Sequence, residues 1–173
     1  SILTGKLKWP HGIGSVPGLK DSYDFCGVNY YTRMSLKFDP SKKDQAFADL
    51  ESMPHGIEKT QMGWQIYPPG FYKILMQVWN NFKKPIYITE NGIADDCDAQ
   101  RPAYLLEHLA QAGRAIREGA DIRGYFQWSF IDNFEWKEGF AKKFGIVACD
   151  HADPKLERKP RPSAYMYKEI IAQ

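Results

Sequence analysis

Apolar positions along the chain fall into blocks that switch between a strand-like and a helix-like spacing. Residues 24–32 (DFCGVNYYT) mix β-branched and aromatic side chains with small and polar ones, the composition of a strand. Residues 71–82 (FYKILMQVWNNF) follow Pro68-Pro69-Gly70 and put Phe71, Ile74, Leu75, Val78 and Phe82 on one helical face, and Lys83-Lys84-Pro85 ends the helix. Residues 85–89 (PIYIT) are a short apolar run of the buried parallel-strand type. A second helix is expected over about 101–118, with Leu105, Leu106, Leu109, Ala112 and Ile116 facing the core and Gly119 as its stop. Residues 124–130 (GYFQWSF) and 144–147 (FGIV) read as strands, and 161–171 as a closing helix.

Strand, helix, strand, helix, strand is the order of parallel βαβ units, so the fold class is α/β. Two stretches lie outside this rhythm. Residues 1–23, with Pro10, Gly12, Gly14, Pro17 and Gly18, read as an irregular lead-in, and the GIG there opens no helix, as a phosphate loop would require. Residues 37–61 are polar, hold Pro40, Pro54 and Gly56, and are expected to form a long surface loop.

In parallel α/β folds the reactive groups sit just past the carboxyl ends of the strands. Three such ends here are chemically rich: Asn29-Tyr30-Tyr31, Glu90-Asn91, and Trp128 followed by Asp132-Asn133-Phe134-Glu135-Trp136. Each alone has an ordinary structural reading. A Glu before Asn-Gly can be a turn residue, Trp128 a core side chain, and Asn29 and Tyr31 satisfied core polars. Jointly they suit a carbohydrate, whose C–H face lies on an indole while carboxylates and amides take its hydroxyls. A site built to bond hydroxyls also rejects ligands that lack them.

Composition narrows the classes further. The 173 residues carry 23 basic and 21 acidic side chains, 23 − 21 = +2, too weak a field to argue for nucleic acid or an anionic membrane. No apolar run reaches the roughly 18 residues needed to span a bilayer. Cys26, Cys97 and Cys149 are widely spaced and odd in number, which fits reduced thiols in a cytoplasmic setting rather than a disulfide framework. His11, His55, His108 and His151 have no zinc-ligand spacing and are expected to be ordinary surface residues, so neither metal nor cofactor is implied.

The segments DFCGVNYYTR (24–33), MGWQIYPPGFYKIL (62–75), PIYITENG (85–92), GYFQWSFIDNFEWKEGFAKKFGIV (124–147) and the terminal RKPRPSAYMYKEII closely resemble the C-terminal part of family 1 glycoside hydrolases. These are retaining β-glucosidases and β-galactosidases with a TIM-barrel fold. The resemblance implies that residues 24–173 supply about strands six to eight of a (β/α)8 barrel. It makes Glu90 the catalytic nucleophile, Tyr31 the tyrosine that contacts it, and Asn29 the neighbouring asparagine. Glu135 would hold two sugar hydroxyls, Trp136 would hydrogen-bond the same sugar, and Trp128 would lie under the ring. Trp64 would line the leaving-group side and Phe144 a wall near the 6-position. The Glu135-Trp136 pair points to unphosphorylated glycosides, because a carboxylate repels a phosphate dianion.

One piece of the family pattern has no match. The acid/base Glu of an Asn-Glu-Pro motif is absent from these 173 residues. A closed barrel also needs eight strands and typically about 250 residues. The expectation is therefore a β-glycosidase segment whose partners are a small β-glycoside or oligosaccharide and the N-terminal portion of the same enzyme, and which is inactive alone. The alternative is a non-catalytic carbohydrate-binding or remnant half-barrel.

Overall fold

The computed structural model describes residues 6–7, 14–46, 48–50 and 56–173. In the lead-in, β1 (Lys6–Leu7) pairs antiparallel with β2 (Gly14–Ser15); His11 and His55 lie outside the described residues. β3 (Cys26–Tyr30) follows. Residues 36–50 then differ from the expected loop, because β4 (Leu36–Phe38) and β5 (Ala48–Leu50) form an antiparallel hairpin. Its pairing puts Leu36, Leu50, Phe38 and Ala48 in opposition, while Lys37 and Lys42 meet Asp49 at 3.6 and 2.6 Å.

α1 (Pro68–Phe82) starts on two prolines, whose fixed φ suits a first turn and whose missing N–H groups had no helical partner. It stops where Lys83 turns left-handed at φ 52° and donates its N–H to the Trp79 carbonyl. β6 (Ile86–Gly92), α2 (Arg101–Arg117) and β7 (Ile122–Trp128) complete the α/β unit. The sheet order is β3-β6-β7 with both pairings parallel. β8 (Val147–Cys149) pairs antiparallel with β9 (Arg158–Pro160), and α3 (Pro162–Ile171) closes the chain. Phe144 and Gly145 thus precede a strand instead of starting one.

One face of the sheet carries the core. Val28, Tyr30, Ile86 and Ile88 pack with Phe71 and Leu75 of α1 and with Ala112 and Ala115 of α2, whose small side chains let that helix approach closely. The buried stripe of α2 is rotated from the expected one: Tyr104, Leu105, His108, Ala112 and Ala115 face inward, whereas Leu106 and Ile116 are exposed. His108 is therefore no surface residue. It is fully buried, stacked on Tyr104 at 3.8 Å and flanked by Phe71 and Tyr30 at 5.6 and 5.9 Å. His151 does remain at the surface, its ring stacked on Phe140 at 4.3 Å.

The opposite face is open, with Gly27, Asn29 and Thr89 exposed and Phe25 and Phe126 more than half exposed. A bulge in β6 decides what reaches it. Against β3, Ile88 pairs with Val28 but Glu90 with Asn29; against β7, Ile88 pairs with Tyr125 but Asn91 with Gln127. Between Ile88 and Asn91, β6 therefore holds one extra residue relative to both neighbours. Strict alternation after Ile86 and Ile88 would send Glu90 into the helix layer. The extra residue puts both Thr89 and Glu90 on the open side and returns Asn91 to the buried side, the re-aiming for which bulges beside functional sites are known.

Candidate active site

At the carboxyl end of β6, Glu90 meets the residue that follows β3. The Tyr31 hydroxyl donates to Glu90 Oε2 at 2.5 Å. Burial, and after it the bond to Glu90, pushes the Tyr31 phenol well above its usual range, so it stays a proton donor to the carboxylate. Asn29 stands on the same side of the sheet, and its Oδ1 accepts from the Thr89 hydroxyl at 2.6 Å, which leaves its amide N–H groups for other partners.

An aromatic wall stands beside this pair. The Tyr31 ring makes edge contacts with Trp64 at 5.7 Å and with Phe144 at 6.1 Å, and Trp64 lies 6.3 Å from Phe144. Phe144 is buried, whereas Trp136 is 83% exposed. Glu135 is held by its own loop: Asn133 Nδ2 donates to Glu135 Oε2 at 3.1 Å, and the Ser129 hydroxyl lies 3.0 Å from Asn133 Oδ1. The loop is in turn fixed from below. Asp132, 2% exposed, pairs with both terminal nitrogens of Arg161 at 3.1 Å and accepts from the Gly145 and Cys149 N–H groups.

Close approach of β6 to β7 fixes the position of Trp128. Gly92 is opposite it in register, and a Cβ at residue 92 would lie 1.6 Å from the Trp128 carbonyl oxygen, so only glycine fits. An open cleft of about 620 Å³ results, lined by all eight predicted residues: Asn29, Tyr31, Trp64, Glu90, Trp128, Glu135, Trp136 and Phe144. Met62, Lys137 and Glu138 also line it. The signal for these three was proximity alone, two residues before Trp64 and directly after Trp136. Among the described residues no group of three or more His, Cys, Asp or Glu is arranged to hold a metal ion. The chemistry the cleft offers is that of three carboxylates, Glu90, Glu135 and Glu138, the first with a phenol donor, among indole and phenyl faces.

Residues 15–173 match the sequence family described as Glycosyl hydrolase family 1. This chain belongs to that family. It is 42% identical over 162 residues to a beta-galactosidase of Saccharolobus solfataricus, covering 88% of this chain and 32% of the relative. It is likewise 42% identical over 163 residues to Beta-glucosidase A of Thermotoga maritima, covering 88% of this chain and 35% of the relative. Among solved structures, the beta-glycosidase from Pyrococcus horikoshii superposes with a TM-score of 0.86 at 41% identity, covering 98% of this chain and 38% of that one. The family 1 β-glucosidase of T. maritima, solved also with castanospermine, superposes at 0.82, covering 89% of this chain and 36% of that one. This family 1 chain thus spans about a third of the length of the relatives it matches.

Proposed function

We propose that this chain supplies the nucleophile and much of the sugar site of a retaining β-glycosidase acting on unphosphorylated β-glucosides or β-galactosides. Glu90, ionised and oriented by Tyr31, attacks the anomeric carbon and forms a glycosyl-enzyme that water hydrolyses. Glu135 and Trp136 bind hydroxyls of the sugar, Trp128 lies under its ring, Phe144 walls the 6-position and Trp64 lines the leaving-group side. Asn29 offers its amide beside the reacting carbon. The 2.5 Å bond from Tyr31 to Glu90, in a cleft that also holds Glu135 and an exposed indole, carries this reading.

The acid/base carboxyl belongs, in this proposal, to the N-terminal portion of the same enzyme, and β3, β6 and β7 are strands six to eight of a (β/α)8 barrel. Several observations support this. Relatives are about three times as long. Phe25, Phe126 and Phe130 are 54, 57 and 68% exposed, and an apolar groove of about 470 Å³ runs between α3 and the Phe130 and Val147 segments. β3 and β7 are the edge strands of the parallel sheet, the unpaired edges that further strands cover.

The test uses the full-length barrel, with this chain preceded by its upstream coding sequence or by the N-terminal portion of a relative. An activated fluoroglucoside that traps glycosyl-enzymes should leave its sugar on Glu90, located by peptide mass mapping. A label on another carboxylate, or inversion of configuration, overturns the assignment. The 173-residue chain alone should not turn over an aryl β-glucoside, and turnover abolished by Glu90→Gln would refute the need for an N-terminal portion. The absent Asn-Glu-Pro motif also fits a non-catalytic carbohydrate-binding fragment, which predicts no adduct even when the N-terminal portion is supplied.

A further inference from the structure

We propose that Asn91 is a positioning residue for this reaction, its carboxamide holding the β6 bulge in the register that aims Glu90 into the cleft. The inference rests on Glu90 being the nucleophile. Where the ladder to β7 slips between Ile88 and Asn91, Thr89 and Glu90 have no partner in β7, and the Asn91 side chain bridges the strands there. Asn91 is fully buried. Its Nδ2 donates to the Tyr30 carbonyl at 2.6 Å and to the Tyr104 hydroxyl at 2.9 Å, and its Oδ1 accepts from the Tyr125 hydroxyl at 2.6 Å. A single amide thereby joins β6 to β3, β7 and α2.

The reach extends to the other half of the nucleophile pair. Tyr104, having accepted from Asn91, donates to the Tyr31 carbonyl at 3.3 Å, so the residue whose hydroxyl binds Glu90 is tied to the same hub. The site demands two donors and one acceptor, which only a carboxamide of this length provides. An aspartate would turn an oxygen toward the Tyr30 carbonyl. A leucine would leave the Tyr125 hydroxyl only its long 3.5 Å bond to Gln127 Oε1, and a weakened bond to a buried group is the costly kind. If the bulge relaxes, alternation returns Glu90 toward the helix layer, away from the sugar.

The test is a double-mutant cycle in the full-length barrel. In the Glu90 background, Asn91→Ala should lower kcat on an aryl β-glucoside by about 10²-fold, the cost of a nucleophile displaced by about 1 Å, and leave KM nearly unchanged. In the Glu90→Gly background the nucleophile is external azide: its nitrogen bonds the anomeric carbon as the phenolate leaves, giving the α-glucosyl azide. There Asn91→Ala should cost nothing further, because the group it positions is gone. An equal loss in both backgrounds, or none in the first, overturns the proposal. Tyr125→Phe deletes only the hydroxyl on the Oδ1 side and should repeat the pattern with a smaller loss, should the alanine variant fail to fold. Full turnover by Glu90→Gly without azide would instead reject the nucleophile, and is seen without any change at Asn91.

Discussion

Replacing His108 with Phe should remove a defined part of the protein's acid sensitivity. The ring is fully buried between Tyr104, Phe71 and Tyr30, with Nδ1 2.8 Å from the Tyr104 carbonyl. Nε2 is buried without a hydrogen-bond partner among the described residues. Burial pulls the imidazole from 6.5 down to about 4, against a smaller opposing effect of the bond to Tyr104. Between these two values the unfolded chain binds a proton that the folded chain refuses. The contribution is thus fully present above pH 6.5 and is lost progressively as pH falls toward about 4. At roughly 1.4 kcal/mol per unit, the drop from 6.5 to about 4 makes the loss about 3 kcal/mol. His108→Phe keeps the ring stack and discards the unpartnered nitrogen, so at neutral pH it should match wild type within about 1 kcal/mol. Denaturant titrations followed by tryptophan fluorescence, run across this pH range on both proteins, cancel the carboxylates they share. Parallel loss of stability in the two proteins would refute the buried, neutral histidine.

Tyr31→Phe should lower kcat/KM on an aryl β-glucoside roughly 10- to 150-fold in the full-length barrel, the value of a hydrogen bond to a charged group; an unchanged value removes Tyr31 from the reaction. Gly92→Ala should fail to fold or melt far below wild type, because its Cβ overlaps the Trp128 carbonyl, and a normal melting temperature would contradict the tight β6–β7 approach. Asp132→Ala should cost about 3–5 kcal/mol in denaturant titration by stranding the nearly buried Arg161. Glu157→Ala, breaking an ion pair whose members are 70 and 61% exposed, should cost less than about 1 kcal/mol, and equal losses would undo this ranking.

What could be read from the sequence depended on whether its cause is local. The helices and parallel strands follow from spacing and from prolines at helix starts, so they were legible to within a few residues. The 36–50 hairpin was not, because strands of three residues with Lys37 and Asp49 between their apolar positions never establish a period. His108 was misread for a related reason: one polar letter in a helix gives no hint of the rings from Phe71 and Tyr30 that enclose it. The eight cleft residues were legible through motif resemblance, a statement about which residues occur and not about what aims them.

The bulge marks that boundary. PIYIT alternates cleanly, and carried forward by two it would bury Glu90 with Ile86 and Ile88 under the helices. Nothing in those five letters announces the extra residue. The signal lies in the two letters that come next. A carboxylate and a carboxamide side by side in a buried strand cannot both face an apolar layer unless each is satisfied. Here Glu90 turns to the cleft and Tyr31, while Asn91 turns inward to Tyr30, Tyr104 and Tyr125. Adjacent polar residues that need opposite surroundings after an apolar alternation are thus a physical reason for the register to slip there. The side-chain bonds of that same asparagine to β3, β7 and α2 are what we propose hold the slipped register.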